Sequence, residues 1–166
     1  MALVIRNRQR ISRVNTRLLR TITKTALEEL LGVENYELGI HLVAVPEMTH
    51  LNETFLKHAG PTDVITFNYV DRAIATPSPV GRKRAGVRAR SRLHGEIFIC
   101  LDEALAQARR FRTTWQSEIV RYAIHGLLHL LGHDDLKPAA RRTMKREEDR
   151  LHRLLAERFS FGTLGA

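Results

Sequence analysis

Residues 125–135 read HGLLHLLGHDD. His125 and His129 stand four apart, the spacing that puts two side chains on one face of a helix, one turn from each other. Two imidazole nitrogens so placed reach a single ion. Gly132 then permits a sharp turn, because glycine adopts positive φ without steric penalty. The chain comes back, and a residue just past the turn supplies a third ligand. Asp135 holds that place in the pattern H-x-x-x-H-x-x-G-x-x-D. Three protein ligands and one open position is the arrangement of a catalytic zinc ion. Such an ion acidifies water and polarises a phosphoryl or carbonyl oxygen.

Each of these residues also has an ordinary role to set against that chemistry. Two histidines four apart can arise by chance in a chain with eight. Asp135 is placed to cap the helix that Pro138 opens. His133, in the same turn, competes with Asp135 for the third-ligand position or serves as an outer group. Asp134 is placed to orient an imidazole, as outer carboxylates do at metal sites. The spacing favours a metal site over chance, with Asp135 the better placed third ligand.

The elements that must position these residues follow from periodicity. TTWQSEIVRYAIHGLLHLLG reads as one long central helix opening at Thr113 or Thr114, with Glu118 near capping-box spacing and Gly132 ending it. Pro138 starts a last helix whose Met144, Leu151, Leu154 and Leu155 form one apolar stripe. Upstream, ALVIRN, ELGIHLVAVP, TDVITFNYV and GEIFICL read as strands. NTRLLRTITKTALEELLGV, MTHLNETFLKH and DEALAQARRF read as helices, the last with Asp102 as its N-cap. The pattern predicts one α+β domain over residues 1–166, with a mixed sheet of about four strands, the usual size. Residues 77–92 have two prolines, two glycines and Arg82, Lys83, Arg84, Arg88, Arg90 and Arg92, with no apolar period. They predict a mobile basic loop.

Bulk composition narrows the class. The 166 residues, 43% of them hydrophobic, are enough for one packed core. A single cysteine, Cys100, excludes an internal disulfide framework and suits a reducing compartment. MALVIRNRQR has too short an apolar run for a secretory leader, and no stretch has the length of a membrane span. The expectation is a soluble cytoplasmic protein with no membrane partner. A net charge of +9, from 27 Lys and Arg against 18 Asp and Glu, points to a polyanion such as nucleic acid. Aromatics are only 6%, so contacts to phosphate are expected to outweigh base stacking.

HGLLHLLGHDD closely resembles the signature H-G-x-L-H-L-x-G-Y-D-H of the YbeY family, bacterial metal-dependent endoribonucleases. LNETFLKHAGPTDVITF is similar to that family's L-N…P-T-D-V-L-S-F segment, and HGEIFICLDEALAQA to its G-D-I-x-I…A segment. The three occur in family order, and the likeness runs from about Leu38 to Leu155.

The resemblance implies an α+β fold with one zinc ion on a helix, bound by His125, His129 and the third motif position. It implies cleavage of single-stranded RNA in 16S rRNA 3′-end maturation and ribosome quality control, with ribosomal proteins as partners. The chain departs from the pattern at four places. Asp135 replaces the third histidine, and His133 replaces the tyrosine. Leu56 stands where the family has a phosphate-contacting arginine, and Glu96 where it has aspartate. Metalloproteases with a related motif accept aspartate as third ligand. Lys57 or His58, next to Leu56, and the basic loop from Arg82 to Arg92 are the candidate phosphate contacts, and Thr62 and Asp63 are candidates to line the cleft. His133 and Glu96 are the candidates for general acid. Two other readings stay open. One is a ribosome-associated factor with a structural zinc site. The other is a metalloprotease, against which stands Gly126 where those enzymes carry a glutamate base.

Overall fold

The computed structural model describes residues 1–70 and 92–166. Their four strands form one mixed sheet in the order β1-β2-β4-β3. β1 (Ala2–Asn7), β2 (Asn35–Val43) and β4 (Arg92–Cys100) run parallel; β3 (Val64–Asn68) pairs antiparallel with β4 at the edge. This is the α+β architecture the periodicity predicts. The loop expected over 77–92 lies outside the described residues, except for Arg92, which opens β4.

Alternation along the strands separates the two faces of the sheet. Tyr36, Leu38, Ile40 and Leu42 of β2 and Leu93, Ile97 and Ile99 of β4 enter the main core. α1 (Thr16–Lys24) and α4 (Trp115–Leu130) close that core, while α3 (Leu101–Phe111) and α5 (Pro138–Arg158) pack on α4. The opposite face carries a smaller apolar cluster of Val43, Met48, Ile65, Phe98 and Cys100 beside α2 (Val45–Leu51). Further along it, Glu37, Gly39, His41, His94 and Glu96 line an open hollow. No described helix is long and apolar enough to cross a membrane.

α4 is the element that carries the histidines, and its burial explains its apolar last turns. Thr114 caps it, the hydroxyl accepting from the Ser117 N–H at 3.2 Å. Gly126 faces the sheet: a Cβ there would come within 2.8 Å of Ile97. The glycine therefore lets α4 sit close on β4, and it fills the position where a metalloprotease has its glutamate.

Three local expectations are corrected. Asp102 does not cap α3, which starts at Leu101 after Cys100. Its carboxylate instead accepts from the Val45 N–H at 2.8 Å, satisfying a free donor at the start of α2. Glu118 forms no capping box with Thr114; it accepts from the Thr113 hydroxyl at 2.7 Å. Asp135 does not cap α5, whose N-cap is Lys137, without a side-chain hydrogen bond. That result removes the ordinary structural role proposed for Asp135.

Candidate metal centre

The helical spacing does what the sequence requires of it. The His125 and His129 rings lie together, with their Nε2 atoms 3.0 Å apart. Gly132 takes φ +97° and turns the chain. Asp135 returns with Oδ2 3.9 Å from His125 Nε2 and 3.6 Å from His129 Nε2. Three donors at the usual zinc distances and tetrahedral angles would be separated by about 3.4 Å. The observed triangle of 3.0, 3.6 and 3.9 Å fits that figure. Among the described residues, this is the group of three or more metal-type side chains whose ligand atoms converge, all within 4.8 Å.

Hydrogen bonds at the far side of each ring fix which nitrogen is available. His125 Nδ1 donates to Glu148 Oε2 at 2.9 Å, and His129 Nδ1 donates to the His133 carbonyl at 3.2 Å. With both protons held at Nδ1, both Nε2 lone pairs point into the same space. Two lone pairs 3.0 Å apart repel unless a cation or a proton lies between them. The donor set thus fits a divalent ion.

Glu148 is the residue that sequence reasoning missed. It is 5% exposed, on α5, and accepts from Arg121 Nη1 at 2.9 Å and Lys145 Nζ at 3.2 Å as well as from His125. Burial pushes its carboxyl up. The His125 and Arg121 hydrogen bonds and the Lys145 charge outweigh that and hold it down at about 2. Burial likewise pulls the His125 imidazole down, but Glu148, Asp63 and Asp135 outweigh it and raise its pKa above the ordinary histidine value. A signal was present in the sequence: Glu148 sits on the apolar stripe with Met144, Leu151 and Leu155, where a carboxylate needs a partner.

The other expected residues fall in different places. The His133 ring is half-buried and stands outside the converging triad; its contribution there is its backbone carbonyl. Asp134 does not orient an imidazole. Its Oδ1 accepts from the Leu136 N–H at 2.8 Å, a local turn. Asp63 shares a cavity of about 560 Å³ with His125, while Thr62 spends its hydroxyl on Asp63 Oδ1 at 3.2 Å. Lys57, in the left-handed region at φ 58°, and His58 edge a separate hollow with Glu53 and Ala59. Glu96 is no candidate acid for this site: it lies on the opposite face of the sheet, bonded to His41 and Tyr69.

Fold and site together define an α+β protein with two histidines on a helix packed against a mixed sheet and a carboxylate from the turn that follows it. Residues 4–156 match the family model described as Endoribonuclease YbeY. Similar curated proteins carry the same description. One from Myxococcus xanthus is 36% identical over 81% of this chain, which spans 42% of that protein's length. One from Parabacteroides distasonis is 30% identical, covering 80% of each chain. The solution structure of TM1509 from Thermotoga maritima superposes with a TM-score of 0.59 at 24% identity, over 93% of this chain and 89% of that one, a likeness of fold. The chain belongs to the Endoribonuclease YbeY family.

Proposed function

We propose that this protein is a zinc-dependent endoribonuclease that cuts single-stranded RNA, with the ion held by His125 Nε2, His129 Nε2 and an Asp135 carboxylate oxygen. The observation that carries the reading is the convergence of those three atoms with both Nδ1 protons tied back. Family membership supports the nuclease chemistry, and the +9 charge supports a polyanionic substrate. A role in 16S rRNA 3′-end maturation and ribosome quality control, with rRNA and ribosomal proteins as partners in the cytoplasm, rests on the family resemblance.

A bound zinc ion supplies Lewis acidity at a phosphoryl oxygen and a more acidic water. The chain's own residues do the rest. Glu148 holds the His125 proton at Nδ1, and Arg121 and Lys145 hold Glu148. Asp135 adds a negative charge to the ligand set, which makes the centre less acidifying than one with three neutral histidines. His133 is the candidate proton donor, next to the cluster in sequence. Lys57 and His58, on an exposed turn, are candidate contacts to the RNA phosphates. A metalloprotease is disfavoured by Gly126, whose contact with Ile97 leaves no room for a glutamate.

The test is cleavage of single-stranded and duplex RNA by wild type and His129→Ala, each with its thermal unfolding curve. Zinc-dependent cutting of the single strand, lost in a His129→Ala protein that still unfolds cooperatively, is the expected result. No cutting by wild type, together with unfolding on loss of His129, is what a non-catalytic factor with a structural zinc would give.

A further inference from the structure

A cavity that His125 lines also reaches the end of α3, where Gln107, Phe111 and Thr113 line it. Its volume of about 560 Å³ lies within the range of sites that enclose one small-molecule-sized group, roughly 300–1,000 Å³. The charges inside argue against a phosphate there. Asp63 and Glu118 are both in the lining, and the two cations, Arg121 and Lys145, are already paired with Glu148 and Asp149. Beside those charged groups the lining offers neutral and aromatic ones, Gln107, Thr113, Phe111 and Tyr122. Phe111 is 61% exposed at the rim, so a flat ring entering from solvent can stack on it. Tyr122, 6% exposed, lines the cavity, and its buried hydroxyl has no hydrogen-bond partner. Arg109, Arg110 and Arg112 are neighbours of Phe111 in sequence, and the Arg110 guanidinium lies 5.3 Å from the ring centroid.

An uncharged aromatic group joined to phosphates has this distribution of chemistry. We propose that the cavity is the subsite for one unpaired base of the RNA, beside the phosphodiester at the metal cluster. Phe111 is the stacking platform, Gln107 meets the base edge and Tyr122 forms part of the wall, as single-stranded bases are read. Arg109, Arg110 and Arg112 contact the flanking phosphates. The proposal rests on the RNA-binding part of the reading above, and it names which part of the strand enters and where.

The test uses the full zinc-loaded chain and two probes of equal length and charge. One is an eight-nucleotide single strand, 2′-O-methylated throughout so that it is not cut. The other is the same ribose-phosphate chain without bases. Affinities are read by fluorescence anisotropy for wild type, Phe111→Ala, Tyr122→Phe and Arg110→Ala. Wild type is expected to prefer the base-bearing strand by about tenfold or more, the scale of one stacked base. Phe111→Ala loses most of that preference and Tyr122→Phe, which removes a hydroxyl closed off from the cavity, keeps it, while Arg110→Ala weakens both probes alike. No preference in wild type, or a preference that survives Phe111→Ala, overturns the proposal. The nuclease reading is judged separately by cleavage with wild type and His129→Ala. A base preference that depends on Phe111 in a protein that cuts nothing would leave the subsite standing and that reading fallen.

Discussion

The two faces of the sheet each carry histidine paired with a buried or half-buried carboxylate, and only one of them assembles a ligand set. On the α4 side, Glu148 takes the Nδ1 proton of His125, so Nε2 is free to meet His129 and Asp135. On the other side, Glu96 takes Nε2 of His41 at 2.9 Å, and His41 Nδ1 is buried with no partner. The His41 ring is stacked on Phe98, centroids 4.5 Å apart, and the second Glu96 oxygen accepts from Tyr69 at 2.7 Å. The difference is which nitrogen the carboxylate holds. Bound at Nδ1 it presents the imidazole to a shared point; bound at Nε2 it closes the imidazole off. A histidine–carboxylate pair is therefore a sign of metal chemistry only where the remaining nitrogen faces other donors.

The largest effect that sharpens this contrast is loss of a ligand. His129→Ala is expected to abolish zinc binding and reduce RNA cleavage to background, while His41→Ala keeps both. Zinc titration and a cleavage assay on the two variants check this, and loss of zinc in His41→Ala would break the comparison. Next is the outer carboxylate. Glu148→Gln leaves His125 without its charged partner and should weaken zinc affinity about 10- to 100-fold. Glu96→Gln should leave it within twofold, as read by competition with a fluorescent chelator.

The pH dependence of the metal-free protein follows from the same carboxylates. Glu148 is depressed from 4.5 to about 2 on folding. A depressed acid stabilises the fold above its unfolded pKa, and that stability is lost as pH falls through the folded value. Denaturant unfolding between pH 4.5 and 2 should show a loss of about 3 kcal/mol that Glu148→Gln removes. Glu96 is also lowered: burial raises it, and the Tyr69 and His41 hydrogen bonds and the Arg6 charge outweigh that. Its side chain is 35% exposed, so its share is smaller. The smallest effect is Tyr69→Phe. Removing one half-exposed hydrogen bond should cost about 0.5–1 kcal/mol, raise the Glu96 pKa as seen by NMR titration, and leave the zinc site untouched.

The local geometry of the metal cluster was legible in the sequence, helix caps were so only in part, and partners across the fold were not. The i, i+4 histidines, the Gly132 turn and the Asp135 return depend on eleven contiguous residues, so spacing alone places them. Thr114 as helix cap is equally local. Glu148 joins His125 from 23 residues away, Glu96 joins His41 from 55, and Asp102 reaches Val45 from 57. Those pairs exist only because β2 and β4 run parallel and adjacent and α5 packs on α4, facts that periodicity does not carry. The sequence motif likewise could not tell Glu96 from a site residue, since its face is set by strand register. Phe111 was hidden for another reason: a low aromatic content says nothing of where one exposed ring stands.

The central claim is that three atoms, from His125, His129 and Asp135, hold one zinc ion. Elemental analysis of purified wild type, Asp135→Ala and His133→Ala tests it most directly. The account predicts one zinc per chain in wild type, the same in His133→Ala, and little or none in Asp135→Ala. Zinc retained without Asp135 and lost without His133 would contradict the ligand set, and no zinc in wild type, even after adding the metal, would contradict the site.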